Sequence, residues 1–349
     1  ISETAASASL VTRITLTGTT GTQTLESTGQ TGSINFNVAG SNAQCVVSAT
    51  KTFTLSSGSK FTVETGTSNP DFLINGTFIT LSTAGGWMTA SGNIHNYGSV
   101  LFQSTGATST FLGALTNQTN SNFTYKGTGN FSPSISGRTF YNLLFESTTG
   151  TYNVTGTGAS SFTVNGNLTI GANCTFGPNV TGTPGHSIKG NITIGSGGTL
   201  NYNPSGAGTL NLNGSSTQTI SGAGTFTTGA NATLAVGASS TIDFGATNAI
   251  AGSGTFTTAS GSSLITANTS GINGSLTLAN KILNSGTNYT FNGSSVQITG
   301  LSNIMSNMTI ASGNIVTLNA NANLTVNGTL TNNGTLTLES GATLVQGTG

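Results

Sequence analysis

Charge is the scarcest feature of this sequence. Only 4% of its 349 residues are charged, and seven Lys and Arg residues balance seven Asp and Glu residues, so the formal net charge is zero. An ordinary soluble domain has about 25% charged residues. The cations are spread singly along the chain, which argues against a nucleic-acid partner. Apolar runs are also short, and none approaches the ~20 residues that a membrane-spanning helix needs.

Helical periodicity is missing as well. Windows such as SSTQTISGAGTFTTGANATLAVG are dense in β-branched residues and Gly, which are poor helix formers, and they lack an apolar stripe at i, i+3 and i+4. Hydrophobic residues make up 34% of the chain and alternate with Thr, Ser and Asn. This alternation is typical of half-buried strands and excludes a disordered chain. We therefore predict an all-β protein.

Cysteine is almost absent. Cys45 and Cys174 are the only two, fewer than a disulfide-stapled secreted fold would have. Each lies in an alternating segment, which predicts two buried, unpaired thiols, and a bridge would require two distant segments to meet. The chain starts with Ile-Ser-Glu, without Met or a signal peptide, so we expect either a processed chain or an internal piece. Both expectations fit an exported protein.

Glycine, by contrast, is abundant at 51 residues, and much of it belongs to a recurring phrase, apolar-Asn-Gly-small-apolar-Thr-apolar. The phrase and its variants occur at 74–80, 164–170, 188–194, 272–278, 326–331 and 332–338. A longer echo, GAGTFTTGAN at 222–231, returns as GSGTFTTASG at 252–261. Asn-Gly pairs predict corners, because both residues tolerate positive φ. The two echoes lie 30 residues apart, and the phrases at 164–170 and 188–194 lie 24 apart. An irregular repeat of 20–50 residues is typical of solenoids.

We predict a parallel β-solenoid, a right-handed β-helix built from irregular coils of ~20–30 residues. A single coil cannot bury its own apolar face, but stacked coils share one continuous core. Residues 1–60 are expected to form an N-terminal β segment, which could serve as capping coils, and residues 61–349 the solenoid repeats. The apolar slots predicted to point inward are Phe140, Leu143, Leu168, Ile170, Ile192, Phe226, Phe256, Leu276 and Leu330.

Catalytic groups are scarce. Parallel β-helices host polysaccharide lyases and glycosidases, whose chemistry needs paired carboxylates, or carboxylates with calcium and a base. Of the seven acids only Glu64 and Asp71 are close in sequence, and their spacing predicts neighbouring faces rather than a stacked pair. His95 and His186 have no Cys, Asp or Glu at a metal-ligand spacing, so we expect both at surface or corner positions. We therefore predict no enzyme, with no catalytic, cofactor-binding or metal residue.

Three weaker motifs have structural interpretations. GSGGTL at 195–200 lacks the Lys and the helix of a phosphate-binding loop. Trp87 is a candidate for sugar stacking, although a buried or end-capping position is favoured. The glycosylation sequons are attributed to a composition rich in Asn and Thr rather than to modification. These sequons begin at Asn75, Asn167, Asn191, Asn213 and Asn327.

Two long segments share a further scheme, in which an Asn-Leu or Asn-Met strand leads through a loop to a Thr-Val-Asn-Gly phrase. They are RTFYNLLFESTTGTYNVTGTGASSFTVNGNLTIGANCTF (138–176) and LSNIMSNMTIASGNIVTLNANANLTVNGTLTNNGTLTLESGATLVQG (301–347). In this scheme the chain resembles the β-strand repeat surface proteins of Bacteroidota, well over 100–349 and loosely before that. The resemblance implies a cell-surface adhesin exported by the type IX secretion system. Such proteins usually end in a compact sorting domain, which this sequence lacks, and autotransporter passengers share part of the resemblance.

We therefore expect a structural or adhesive protein, extracellular or on the cell surface, that is exported by a bacterial secretion system and forms a rod or a filament subunit. Two alternatives stay open. One is a β-helix carbohydrate-active enzyme, which clustered acids would favour. The other is a glycan- or ice-binding module, which a flat Thr-rich face such as TRITLTGTTGTQTL (12–25) would favour.

The C-terminal stretch 324–349 repeats phrases from the middle of the chain and offers no cap after Leu344. A bare last coil exposes unpaired backbone groups. At this edge we expect self-association, a secretion or surface-anchoring partner, or a chain that continues into further repeats. A glycan is the other expected ligand, whereas nucleic acid and a membrane span are not expected.

Overall fold

The computed structural model is nearly all β, with parallel strands stacked as a β-solenoid of about 11 turns and almost no helix, as predicted. It describes side chains for residues 45–55, 72–80, 93–103, 115–178, 185–296, 298, 301 and 304–347, and the backbone alone of the remaining strand residues given below. Trp87, Glu64 and Asp71 lie outside the described residues, as do the side chains of the Thr-rich segment 12–25.

The chain divides into two compact units, residues 1–157 and 158–349. The strands of the first unit are β1 (Thr12–Leu16), β2 (Thr22–Thr24), β3 (Ile34–Val38), β4 (Gln44–Val47), β5 (Thr52–Leu55), β6 (Phe61–Val63), β7 (Phe72–Ile74), β8 (Thr77–Ser82), β9 (Met88–Ala90), β10 (Asn93–Asn96), β11 (Ser99–Ser104), β12 (Ala114–Asn117), β13 (Asn122–Phe131), β14 (Thr139–Phe140) and β15 (Asn142–Gly156). The predicted boundary at residue 60 stays a prediction.

The described residues of the second unit form the remaining strands and one short helix. They are β16 (Thr163–Val164), β17 (Leu168–Ile170), β18 (Cys174–Pro178), β19 (Gly185–Ile188), β20 (Ile192–Ile194), β21 (Thr199–Tyr202), β22 (Gly208–Leu212), β23 (Gln218–Ser221), β24 (Thr225–Thr228), β25 (Ala232–Val236), β26 (Thr241–Asp243), β27 (Ile250–Thr258), β28 (Ser263–Thr266), α1 (Gly271–Ser275), β29 (Leu276–Ile282), β30 (Asn288–Phe291), β31 (Val296–Gln297), β32 (Ile304–Met305), β33 (Met308–Ile310), β34 (Ile315–Leu318), β35 (Asn323–Val326), β36 (Leu330–Asn332), β37 (Thr335–Leu338) and β38 (Thr343–Gln346).

Parallel pairing places equivalent apolar residues of successive coils above one another. In the first unit one inward ladder runs Phe53, Phe78, Val100, Phe123, Leu143. In the second unit a comparable ladder runs Phe176, Leu200, Phe226, Ile250, Leu276. All of these residues are buried, whereas the alternate positions on the same strands face outward. The core is therefore a set of stacked side-chain ladders, each stabilised by the coils on either side.

Coil length varies as the irregular repeat predicted. The register advances by only 19 residues from Tyr289 to Met308 and by 28 residues from Ile192 to Ile220. Insertions are therefore absorbed at the corners, while the strand pairing and the ladders continue.

The Asn-Gly corners need glycine for a different reason from the one expected. Neither Gly76 of the Asn75-Gly76 corner nor Gly98, which follows Tyr97 at the same corner one coil later, has a positive φ. Instead, a Cβ on Gly76 would overlap the carbonyl oxygen of Ser48, and a Cβ on Gly98 would overlap that of Gly76. Successive corners are stacked so closely that only a hydrogen atom fits between them. The glycines therefore permit close approach of backbones rather than a left-handed conformation.

A second kind of corner does use the left-handed region. Asn173 has φ 58°, and the turn is closed by the Cys174 N–H, which donates to the Gly171 carbonyl at 3.2 Å. Gly197 takes the equivalent place one coil later, with φ 68°. GSGGTL at 195–200 is therefore a turn that leads into strand β21, with no helix after it.

One repeat phrase does not form the expected corner. Residues 272–278 were predicted as a corner followed by a strand, but Ile272 and the Asn-Gly pair lie in the helix α1, and the strand begins at Leu276. A hydrogen bond of 2.8 Å between the Thr266 and Ser275 hydroxyls ties this helical turn to β28.

No helix in the described part of the chain is long and apolar enough to cross a membrane.

Eight of the nine residues predicted to point inward are at most 2% exposed, from Phe140 to Leu276. Leu330 is the exception, because it is only half-buried. Its register partner is Met308, which is fully buried, so Leu330 occupies the inward position that was predicted. It lies in the last coil described, where neighbouring side chains cover it less completely.

The exposed fraction of inward side chains also rises along the strands that follow Leu330. β37 and β38 each form the edge of a three-stranded sheet. Leu318 on β34 is 2% exposed, whereas its register partner Leu338 on β37 is 44% exposed. Inward ladders therefore end at an open, partly apolar edge.

Candidate functional site

The thiols are structural. Cys45 and Cys174 are both buried and neither forms a disulfide, as predicted. Burial raises the pKa of the Cys45 thiol to about 12, so the thiolate that a nucleophile or metal ligand would need is disfavoured.

His186 is not at the surface or a corner, and that expectation was wrong. It is fully buried on β19, between Phe162 and Leu210 in an inward ladder. Its Nδ1 accepts a 3.2 Å hydrogen bond from the Phe162 N–H, and its Nε2 has no hydrogen-bond partner. Burial lowers the pKa of the imidazole to about 4. A neutral ring in an apolar ladder is a core residue.

The acids that the structure describes hold the backbone and neighbouring coils together. Glu146 pairs with Lys126 at 3.0 Å across adjacent strands. A carboxylate oxygen of Asp243 accepts the Gly245 N–H at 2.8 Å, and one of Glu339 accepts the Ala320 N–H at 2.9 Å. Within the described residues, no three His, Cys, Asp or Glu side chains come together as a metal site would require.

The sequon asparagines lie at exposed corners and act between coils. The Asn167 side-chain oxygen accepts the Asn191 N–H at 3.0 Å, and the Asn191 side-chain oxygen accepts the Thr219 N–H at 2.9 Å. Each of these amides therefore caps the backbone of the next coil. This arrangement gives Asn at these corners a structural role.

The outward faces carry ladders of hydroxyl groups. Thr175, Thr199 and Thr225 stand in register on three successive coils, and the last two hydroxyls are 3.1 Å apart. Thr209, Thr233 and Thr255 form a second such ladder, and all six residues are at least partly exposed. Successive rungs repeat at about 4.8 Å. The result is an uncharged lattice of hydroxyl and methyl groups.

One corner of the first unit differs from the rest because it displays aromatic rings. Tyr97 is 51% exposed, whereas the other aromatic side chains that the structure describes are buried, apart from the half-buried Tyr141. The His95 ring lies nearly parallel to that of Tyr97, with an interplanar angle of 15° and centroids 6.3 Å apart. At this distance the rings are offset, and together they extend one aromatic surface. The Gln118 side-chain amide donates to His95 Nδ1 at 3.2 Å, which holds the amide beside the rings.

A buried asparagine fixes this corner. The Asn96 side chain is fully buried; its Nδ2 donates to Asn117 Oδ1 at 2.9 Å and to the Asn122 carbonyl at 3.0 Å. Its Oδ1 accepts the Gly98 N–H at 3.1 Å. The Tyr97 and Gly98 N–H groups also approach the Ile74 carbonyl, at 2.9 and 2.8 Å. The backbone beneath the exposed ring is therefore held by contacts with the coil before it and the coil after it.

Sequence reasoning placed His95 at the surface, where it lies, but it missed Tyr97 and Gln118. The available signal was the pair Tyr97-Gly98, which stands where the repeat phrase has Asn-Gly. No protein-family model matches the chain, and neither a curated protein nor a solved structure is significantly similar to it.

Proposed function

We propose that this chain is a structural and adhesive protein of the cell surface or extracellular space, a rod or filament subunit exported by a bacterial secretion system. The observation that supports the proposal is the uncharged lattice of Thr, Ser and Asn side chains on a stack of parallel coils. Many weak, equivalent contacts along a rigid scaffold suit adhesion. The resemblance to Bacteroidota repeat adhesins supports the same function and points to type IX secretion.

Adhesion is tested with the full 349-residue chain coupled to beads. We expect the beads to attach to glycan-coated surfaces and to cells more than beads that carry albumin, at low and high salt alike, because the chain has no net charge. Attachment no greater than that of the albumin beads would contradict the adhesive function. Labelling of intact source cells with an antibody tests the location, and signal only after lysis would contradict surface display.

A glycan- or ice-binding module is the second candidate, and the ordered Thr ladders favour it. Ice binding is tested by growth of an ice crystal in the presence of the protein: faceting supports it, and unaltered growth contradicts it.

We expect no hydrolase or lyase activity, because the described acids hold structural contacts. Turnover of a polysaccharide that is lost in Glu64→Gln or Asp71→Asn would contradict this expectation.

We also propose that the edge formed by β37 and β38 contacts another molecule, through self-association or with an anchoring or secretion partner. Strand edges with exposed apolar side chains readily pair with other strands. Leu338 and Val345, 44% and 46% exposed, lie at this edge.

A further inference from the structure

We propose that the corner formed by His95, Tyr97 and Gln118 is a binding site for a sugar ring of an uncharged polysaccharide. The inference rests on the proposed adhesive function and names the ligand class that one site would take. It concerns residues that the recurring repeat does not require, since other corners have Asn-Gly at the place of Tyr97-Gly98.

The groups exposed at this corner match the chemistry of a sugar ring. The C–H face of a pyranose ring is apolar and its rim carries hydroxyl groups, so its binding site combines a flat aromatic face with a few amide or hydroxyl partners. Tyr97 and His95 provide nearly parallel, offset rings, and the Gln118 amide lies within hydrogen-bonding distance of one of them. The Gln118 side-chain oxygen and second N–H provide a further acceptor and donor.

The backbone of this corner is rigid. Binding costs less when the contacting groups are already ordered. Here the corner backbone is held by the buried Asn96 side chain and by the Ile74 carbonyl. Gly98 is also not easily replaced, because a Cβ there would overlap the Gly76 carbonyl oxygen of the preceding coil. The exposed rings therefore stand on fixed backbone.

The same corner of the neighbouring coils indicates the shape and charge of the ligand. Tyr141 lies at the same corner two coils further on, about 9–10 Å away along the stack at ~4.8 Å per coil, and it is partly exposed. On the other side of Tyr97, one coil earlier, Asn75 is exposed. A row of uncharged ring and amide groups parallel to the stack fits an extended chain of sugars. These corner residues are uncharged, and the exposed Lys51 lies at the same corner one coil before Asn75.

The test measures binding of the full chain to soluble dextran, mannan, xylan and galactan, and to insoluble cellulose, with alginate as the anionic comparison. We expect at least one neutral polysaccharide to bind and alginate not to bind. Tyr97→Ala should weaken that binding about tenfold, as expected for loss of one aromatic contact. Tyr97→Phe should bind nearly as well as the parent, because it keeps the ring. Gln118→Ala should also weaken binding.

The matched control is Ile282→Ala. Ile282 is 63% exposed and lies in the second unit, so the substitution removes a large exposed side chain elsewhere. We expect it to bind as the parent does, and circular dichroism should show the same fold for all variants.

Two results would overturn the site. In one, no neutral polysaccharide binds; in the other, one binds but Tyr97→Ala binds it equally well. The bead assay separates this failure from failure of the adhesive function. Beads that still attach to cells without competition from the polysaccharides would refute the site alone, whereas beads that do not attach and bind no polysaccharide would refute both.

Discussion

At the residue scale, His186 is a polar side chain that is buried in a ladder of apolar side chains. Its neighbours in the ladder, Phe162 and Leu210, carry no charge, and the nearby Tyr202 ring meets it edge-on with centroids 5.8 Å apart. The single hydrogen bond to the ring is an N–H that Nδ1 accepts. A protonated ring would lose that bond and would place a charge inside the core.

This burial predicts acid sensitivity. The folded-state pKa of His186, about 4, is below the ordinary value of 6.5, so between these values the unfolded chain binds more protons. The contribution of His186 to the unfolding free energy should therefore be constant above pH 7 and fall by roughly 1–3 kcal/mol as the pH drops towards 4. Urea unfolding at several pH values measures this fall. His186→Leu should flatten it, whereas His95→Leu, at an outward position, should keep it; an equal slope in parent and His186→Leu would refute the explanation.

The position of a leucine in the stack should determine how much it contributes to the free energy of unfolding. Leu168 is fully buried, whereas Leu330 occupies an equivalent inward slot but is only half-buried. Leu168→Ala should lower the unfolding free energy by about 2–5 kcal/mol, and Leu330→Ala by about 1 kcal/mol or less. Both residues lie in the second unit, so one urea titration compares them. Equal losses would show that the last coil is as well covered as the interior.

At the scale of the element, the sequence predicted strands and corners well because both depend on local rules. Alternation of period two identified eight buried slots, and Asn-Gly marked corners such as Asn75-Gly76. The expectation for His186 was wrong although a signal was present, because His186 and Ile188 follow the same alternation as the buried apolar residues. Helix α1 and the ring of Tyr97 could not be predicted in the same way, since both depend on which coil lies next to them.

The corners themselves can be tested with two glycines of one segment. A Cβ on Gly190 would overlap the Gly166 carbonyl of the preceding coil, whereas the nearest contact for a Cβ on Gly185 is an ordinary 3.5 Å to the Asn211 side chain. Gly190→Ala should therefore lower the unfolding free energy by about 1–3 kcal/mol. Gly185→Ala should be neutral or raise it by up to ~1 kcal/mol. If thermal denaturation shows the same loss for both, close stacking is not what requires glycine.

At the scale of the whole molecule, stability comes from packing and hydrogen bonds between neighbouring coils. Each ladder continues only while another coil follows, and the exposed fraction rises from Leu318 to Leu338 where the described coils end. An edge of this kind leaves backbone N–H and C=O groups and apolar side chains available for another strand.

This edge predicts self-association of the 349-residue chain. Sedimentation velocity over a range of concentrations should show dimers or larger species, because a second molecule can cover the exposed sides of β37 and β38. Leu338→Lys together with Val345→Lys should shift the equilibrium towards the monomer, since lysine on a strand edge opposes pairing. Ile282→Lys adds charge at an exposed position away from the edge and should leave association unchanged. A parent chain that stays monomeric at every concentration would refute self-association through this edge.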